Sequence, residues 1–111
     1  MNNTKCVVLS DLDEAEICNV SIAIFYAPEN FPDVKTQQSF EKEFLELVND
    51  YPCSGIVIQD LSLTSSLEKS WCFDTEAAAV RTMYGLQKRF QNAGWQVMKE
   101  SEYVNLQLDY A

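Results

Sequence analysis

The chain has 111 residues, of which 47% are hydrophobic and 12% aromatic, so we expect one ordered domain over residues 1–111 with a buried core. The net charge of −9 at pH 7 would repel a phosphate backbone, which argues against direct binding of nucleic acid. The sequence offers no apolar run of the roughly 18 residues that span a membrane and no signal-peptide core, so we expect a cytoplasmic protein without membrane contact.

The first half of the chain predicts two strands and then a helix. The apolar run 5–10 and the alternating run 18–26 are typical of strands, and the acidic connection 11–16 can join them as an antiparallel hairpin. After a loop with two prolines, apolar residues recur on one face from residue 34 or 36 to 50. This periodicity predicts a helix, which Pro52 ends.

The next apolar segments predict a second pair of strands. Residues 55–63 form the first of them, with the aliphatic residues 56–58 as its buried centre. A turn at 64–66 leads to the partner strand at 67–73, so the two strands are expected to form a hairpin.

The stretch 71–97 has the clearest pattern in the chain: the end of a strand, a long amphipathic helix and the start of another strand. Asp74 and Thr75 can each cap the helix start, and Gly94 suits the left-handed residue after its end. The apolar face of this helix is formed by Ala79, Met83, Leu86, Phe90 and Ala93. Gly85 interrupts the pattern, and we expect it to mark a close crossing over the sheet, with a hinge or a ligand contact as the alternative.

The end of the chain predicts two more strands, at 95–99 and at 103–110. In the second of these, apolar and polar residues alternate strictly, which is the cleanest strand signal in the sequence. The predicted order is therefore ββαββαββ. Such an order favours an α+β fold, in which two helices pack on one face of a mostly antiparallel sheet while the other face meets water.

The residue types present exclude several kinds of chemistry. The chain has no histidine, so Ser–His–Asp and Cys–His catalysis are excluded, and we expect a protein that is not an enzyme. The three glycines are isolated, which disfavours phosphate-binding loops. The four cysteines are scattered without a CxxC pair, so we expect buried thiols rather than a zinc site or a disulfide. Segment 11–16 does not match a calcium-binding loop, and no metal or cofactor is expected.

Negative charge is concentrated in the first half of the chain. Residues 1–50 hold ten acids and three lysines, a net charge of −7, whereas residues 51–111 hold seven acids and five bases, a net charge of −2. The candidate partner-binding residues are Asp11, Asp13, Glu14, Glu16, Glu43, Glu46 and Asp50. A solvated acidic surface is the alternative for both groups. Arg81, Lys88 and Arg89 form a small basic strip on the polar side of the central helix, which is either solvated or in contact with an acidic surface.

We therefore expect a small acidic interaction protein that binds a basic surface of a partner protein. A row of carboxylates can imitate the phosphates of a nucleic acid, so a nucleic-acid-binding protein is a suitable partner. In size, charge and lack of catalytic motifs the chain looks like small inhibitors from phages and mobile elements, including anti-restriction and anti-CRISPR proteins, although no motif carries this likeness.

Two other functions are kept as alternatives. A small-ligand-binding or regulatory α+β domain would be expected to have a deep pocket lined by Trp71, Tyr84 or Trp95. Either tryptophan could instead be an exposed interface anchor. An enzyme that uses carboxylates would need two perturbed carboxyl groups in one cleft. A homodimer formed through a sheet edge or the central helix is compatible with all three functions.

Overall fold

The computed structural model describes residues 5–60 and 67–110, and this part of the chain forms five strands and four helices. The strands are β1 (Cys6–Leu9), β2 (Asn19–Phe25), β3 (Ile56–Asp60), β4 (Glu68–Cys72) and β5 (Gln96–Lys99). The helices are α1 (Leu12–Glu16), α2 (Val34–Asn49), α3 (Glu76–Asn92) and α4 (Glu100–Tyr110), with a short 3-10 helix at Pro28–Asn30. The turn predicted at 64–66 lies outside the described residues.

The five strands form one mixed sheet in the spatial order β3-β4-β2-β1-β5. β1 and β2 pair in the antiparallel direction, as predicted for the first hairpin. β4 lies between β2 and β3 and is antiparallel to both. β5 pairs with the other side of β1 in the parallel direction. The α+β class and the mostly antiparallel sheet are therefore confirmed, with one parallel pair at the β5 edge.

One face of the sheet is apolar, and α2 and α3 pack against it. The buried residues Val20, Ile22 and Ile24 alternate with partly exposed ones along β2, because successive side chains of a strand point to opposite faces. Phe44 of α2 and Phe90 of α3 are buried in the same core. The two predicted long helices thus lie on one face, as expected.

The ends of α3 lie where its sequence predicts them. The Thr75 hydroxyl accepts a hydrogen bond from the Ala78 N–H at 3.2 Å and caps the helix start. Gly94 follows the helix with a φ of 89°, in the left-handed region that favours glycine. The close approach at Gly85 is not to the sheet but to the segment after α2, because a Cβ atom there would lie 1.8 Å from the Tyr51 hydroxyl.

The acidic connection 11–16 contains a helix, which the sequence did not predict. α1 is only five residues long, and its Ala15 is fully buried and packs into the core beneath α3. The acids Asp13 and Glu14 lie in the first turn, where they face the positive end of the helix dipole. One helical turn is too short to produce a periodic apolar pattern, so sequence periodicity could not reveal it.

The strand predicted at 103–110 is wrong, because this segment belongs to helix α4. The helix start is marked by Glu102, whose carboxylate accepts a hydrogen bond from the Lys99 N–H at 3.2 Å. This contact is the second half of a capping box, in which an acid in the first turn reaches back to the residue before the helix. The capping interaction and the tertiary contacts of α4 override the local alternation of apolar residues.

α4 lies on the second face of the sheet, which was expected to be open to water. The rings of Tyr103 and Phe25 meet edge to face with 5.3 Å between their centroids. The observed order of elements is therefore βαβαββαβα, with helices on both sides of the sheet rather than two on one side. None of the helices within the described ranges has both the length and the apolar character needed to cross a membrane.

The strand predicted at 55–63 is present as β3, but its aliphatic centre is not buried. Ile56, Val57 and Ile58 are exposed by 69%, 47% and 57%. β3 lies at the edge of the sheet and pairs with β4, with an irregularity between Val57 and Gln59. A run of β-branched residues favours a strand but does not determine whether the strand is central or at an edge, so the predicted burial is wrong.

Candidate functional site

The sequence-predicted acid Asp11 connects the start of α1 to the start of α4. Its carboxylate accepts hydrogen bonds from the Ser101 N–H at 2.9 Å and from the Ser101 hydroxyl at 3.0 Å. The first N–H groups of a helix have no partner within the helix, so Asp11 satisfies one of them from another part of the chain. This contact brings the acidic N-terminal turn of α4 next to α1.

Five carboxylates from three elements crowd together at this junction. The pKa of Glu100 is raised above its usual value of 4.5, first by partial burial of the carboxyl group and then by the negative charges around it. Those charges belong to Glu14, Asp11, Asp13 and Glu68. We call the cluster of Asp11, Asp13, Glu14, Glu68 and Glu100 the α1–α4 acidic patch. Glu16 is exposed at the end of α1, beside this patch.

Lys99 is the base that interacts with the patch, and it does not form an ion pair there. Its ammonium is buried and has no hydrogen-bond partner within the described part of the chain. Burial lowers the pKa of Lys99, while the charges of Asp11 and Glu102 act in the opposite direction. The ammonium lies 5.7 Å from the centre of the Tyr84 ring, a cation–π contact. Lys99 thus interacts with the charge of Asp11 without forming an ion pair with the described acids of the patch.

Glu43, on α2, has a different environment, because it is partly buried and hydrogen-bonded to residues of other elements. The Lys5 ammonium donates a hydrogen bond to its carboxylate at 2.9 Å, and the Trp95 indole N–H donates another. Burial would raise the pKa of Glu43, but these two hydrogen bonds and the charge of Lys5 lower it below its usual value. Glu43 thus joins α2 to the start of β1 and to the residue before β5.

The other two α2 candidates, Glu46 and Asp50, are exposed. α2 packs on the side of α3 that carries Gly85 and Arg89, and the Arg89 side chain donates a hydrogen bond to the Leu47 carbonyl at 2.8 Å. α1 also packs on α3. The structure therefore joins Asp11 of the first group of predicted acids to α4, whereas Glu43 of the second group is bonded to Lys5 and Trp95.

Two members of the patch, Glu68 and Glu100, were not identified from the sequence. Glu100 had a usable signal, since acids immediately before an apolar segment are typical of the first turn of a helix. Glu68 had no local signal, because the pairing of β4 with β2 brings it to this face. Both residues line a cleft of about 260 Å³ between α4 and the sheet.

Replacing Glu100 with glutamine is expected to stabilise the protein at pH 7. The raised pKa means that the folded state disfavours the ionised carboxylate, so stability is lost as pH rises from 4.5 through the pKa in the folded protein. We expect a gain of about 0.5–1 kcal/mol in the free energy of unfolding, the size of interactions between partly exposed charges. Urea unfolding at pH 7 and at about pH 3.5 would measure it, because the gain should disappear at the lower pH.

Glu16→Gln is the matched control for this variant, since it removes one exposed charge from α1 beside the patch. It should change stability by less than Glu100→Gln does. An equal gain from Glu100→Gln at both pH values would contradict the assigned crowding of charges.

The tryptophans and cysteines do not add to this site. Trp71 and Trp95 are each 3% exposed, so neither is an exposed interface anchor. Cavities of about 640, 470 and 260 Å³ have linings that include neither tryptophan nor Tyr84.

Cys6 is buried as expected, whereas Cys72 is exposed on β4, and the four thiols are free. Among the described residues, no three Cys, Asp or Glu side chains are grouped so that they could hold a metal ion.

The geometry of the α1–α4 acidic patch is thus the principal guide to function. Comparison of the chain with protein-family models, with curated proteins and with solved structures finds no match.

Proposed function

We propose that this protein is a non-enzymatic interaction protein that binds a basic surface of a partner through the α1–α4 acidic patch. The observation that supports this proposal is the group of five carboxylates at the start of α1, on β4 and on α4. The pKa of Glu100 is raised first by partial burial of its carboxyl group and then by the charges of the other four acids. The ion pair between Lys5 and Glu43 lies outside the patch.

A basic partner would relieve the repulsion within the patch. Like charges that are held together lower the stability of the free protein, so a partner that supplies lysine or arginine gains that energy on binding. Such binding is expected to be fast at low salt and to weaken as salt rises. A nucleic-acid-binding surface is the kind of partner that suits a cluster of carboxylates, and an inhibitor of a host defence system is one setting in which such a protein would act.

A pair of matched charge reversals tests the assigned surface. Asp13→Lys with Glu14→Lys changes the patch, whereas Glu46→Lys with Asp50→Lys changes the exposed side of α2 by the same four charge units. A partner captured from host lysate at low salt and identified by mass spectrometry would be purified. Its affinity for the unchanged protein and for both variants would then be measured by titration calorimetry.

We expect the patch variant to lose at least about tenfold in affinity, whereas the α2 variant should lose less than about threefold. Circular dichroism would show that both variants remain folded. Equal losses from the two variants would mean that net charge alone drives capture, and unchanged affinity of the patch variant would refute the assigned surface.

A further inference from the structure

A groove between α2 and α3 has the opposite electrostatic character to the patch. It holds two cavities, of about 640 and 470 Å³. The larger is lined by residues 51–54, which follow α2, and by Ala78, Arg81 and Thr82 of α3. The smaller lies further along α3, beside Lys88 and Arg89. We call the two together the α2–α3 groove.

The described residues that line the groove include no carboxylate, although the protein is rich in acids. The chain has 17 acids, yet none of the described residues that line either cavity is Asp or Glu. Three of its eight basic residues, Arg81, Lys88 and Arg89, do line the groove. Local positive charge therefore remains in the groove although the whole chain carries −9.

Four residues whose side chains carry hydrogen-bond donors line the larger cavity. Three have hydroxyl groups, and the fourth is Arg81, whose guanidinium has several N–H donors; the three are Tyr51, Ser54 and Thr82. Within residues 5–60 and 67–110, the structure gives the side chains of these four residues no hydrogen bond or ion pair. Thr82 is 7% exposed and lines the cavity.

We propose that the larger cavity binds a small molecule through an oxyanion, a phosphate or a carboxylate. The Arg81 guanidinium matches the paired oxygens of such a group, and the hydroxyls of Ser54 and Thr82 add donors. The ring of Tyr51 and the apolar surfaces of Pro52 and Ala78 contact the rest of the ligand. A volume of about 640 Å³ suits a small organic molecule. The net charge of −9 opposes the approach of a polyanion such as a nucleic acid.

Amide NMR spectra of the full chain, titrated with three probes, test this assignment. Phenyl phosphate and benzoate carry the two candidate oxyanions on the same ring, and phenol is the neutral control. We expect saturable shifts at residues 53–54 and 78–82 with one or both anions and none with phenol. The anion that binds more tightly, phenyl phosphate or benzoate, identifies whether the site prefers a phosphate or a carboxylate.

Arg81→Gln and Lys88→Gln are matched variants, because each removes one positive charge from α3 and only Arg81 lines the larger cavity. Arg81→Gln should weaken binding at least about tenfold, as expected when a charge-assisted hydrogen bond is lost, and Lys88→Gln should change it less than about threefold. The absence of saturable shifts at millimolar anion, or equal affinity in the Arg81 variant, would overturn the proposal. The patch variant Asp13→Lys with Glu14→Lys should bind the anion probe with unchanged affinity. The anion site and the proposed partner surface are therefore tested independently of each other.

Discussion

Phe90→Ala is expected to lower the free energy of unfolding by about 3–5 kcal/mol, the usual cost of removing a buried aromatic ring. Phe90 is fully buried on α3. Its ring centroid lies 5.8 Å from that of Phe44 on α2 and 5.4 Å from that of Trp95, so the ring joins two helices to the residue before β5. Alanine would leave a cavity at the point where these three elements meet.

Urea unfolding followed by tryptophan fluorescence would measure the loss, because Trp95 contacts the substituted ring. Tyr84→Ala is the control, since Tyr84 lies on the same helix but is 52% exposed. It removes mainly the contact with Lys99 and should cost less than about 1 kcal/mol. Similar losses from the two variants would show that Phe90 does not have the central packing role assigned to it.

Gly85→Ala is expected to destabilise the protein by about 1–2 kcal/mol, although alanine normally favours a helix over glycine by about 1 kcal/mol. A Cβ atom at Gly85 would lie 1.8 Å from the Tyr51 hydroxyl oxygen and 2.8 Å from the ring carbon that carries it. The ring would have to move as a unit, and such overpacking costs about 1–3 kcal/mol. The steric cost therefore exceeds the gain in helix propensity.

The effect of Gly85→Ala on the free energy of unfolding should change sign in a Tyr51→Ala background. With the ring removed, Gly85→Ala keeps only its gain in helix propensity and should stabilise that variant by up to about 1 kcal/mol. Thermal and urea unfolding of the four proteins would give the coupling between the two sites, expected at about 1–3 kcal/mol. Additive effects of the two substitutions would contradict the assigned contact.

The structure separates two roles among the acids that the sequence identified as one class. Glu43 is partly buried and accepts hydrogen bonds from Lys5 and Trp95, so its charge helps to assemble the core. Asp11 is also structural, because it holds the first turn of α4, but it lies within a group of acids that form no ion pair with the bases of residues 5–60 and 67–110. Composition alone cannot distinguish these roles, since the distinction depends on which distant residue each carboxylate meets.

The elements that sequence analysis predicted correctly are those whose signals are local. The caps and apolar face of α3 lie within one continuous segment, and the alternation along β2 reflects one buried face. The failures are at α4 and β3, where local pattern and tertiary position disagree. Residues 103–110 alternate like a strand, but Asp11 and Phe25 hold the start of this segment as a helix on the sheet. Ile56, Val57 and Ile58 form a strand that lies at the sheet edge and stays exposed.

The sequence by itself determined the α+β class, the positions of β1, β2, β4 and α3, and the excess of negative charge, because each depends on composition or on short-range periodicity. Only the tertiary structure decided which acids meet and which bases line a cavity. Glu68 and Glu100 are 32 positions apart in the chain and reach one cleft through strand pairing and the fold of α4 over the sheet. Arg81 and Ser54 reach one cavity because Gly85 lets the end of α2 approach α3. Such proximities arise from long-range packing, which no local pattern encodes.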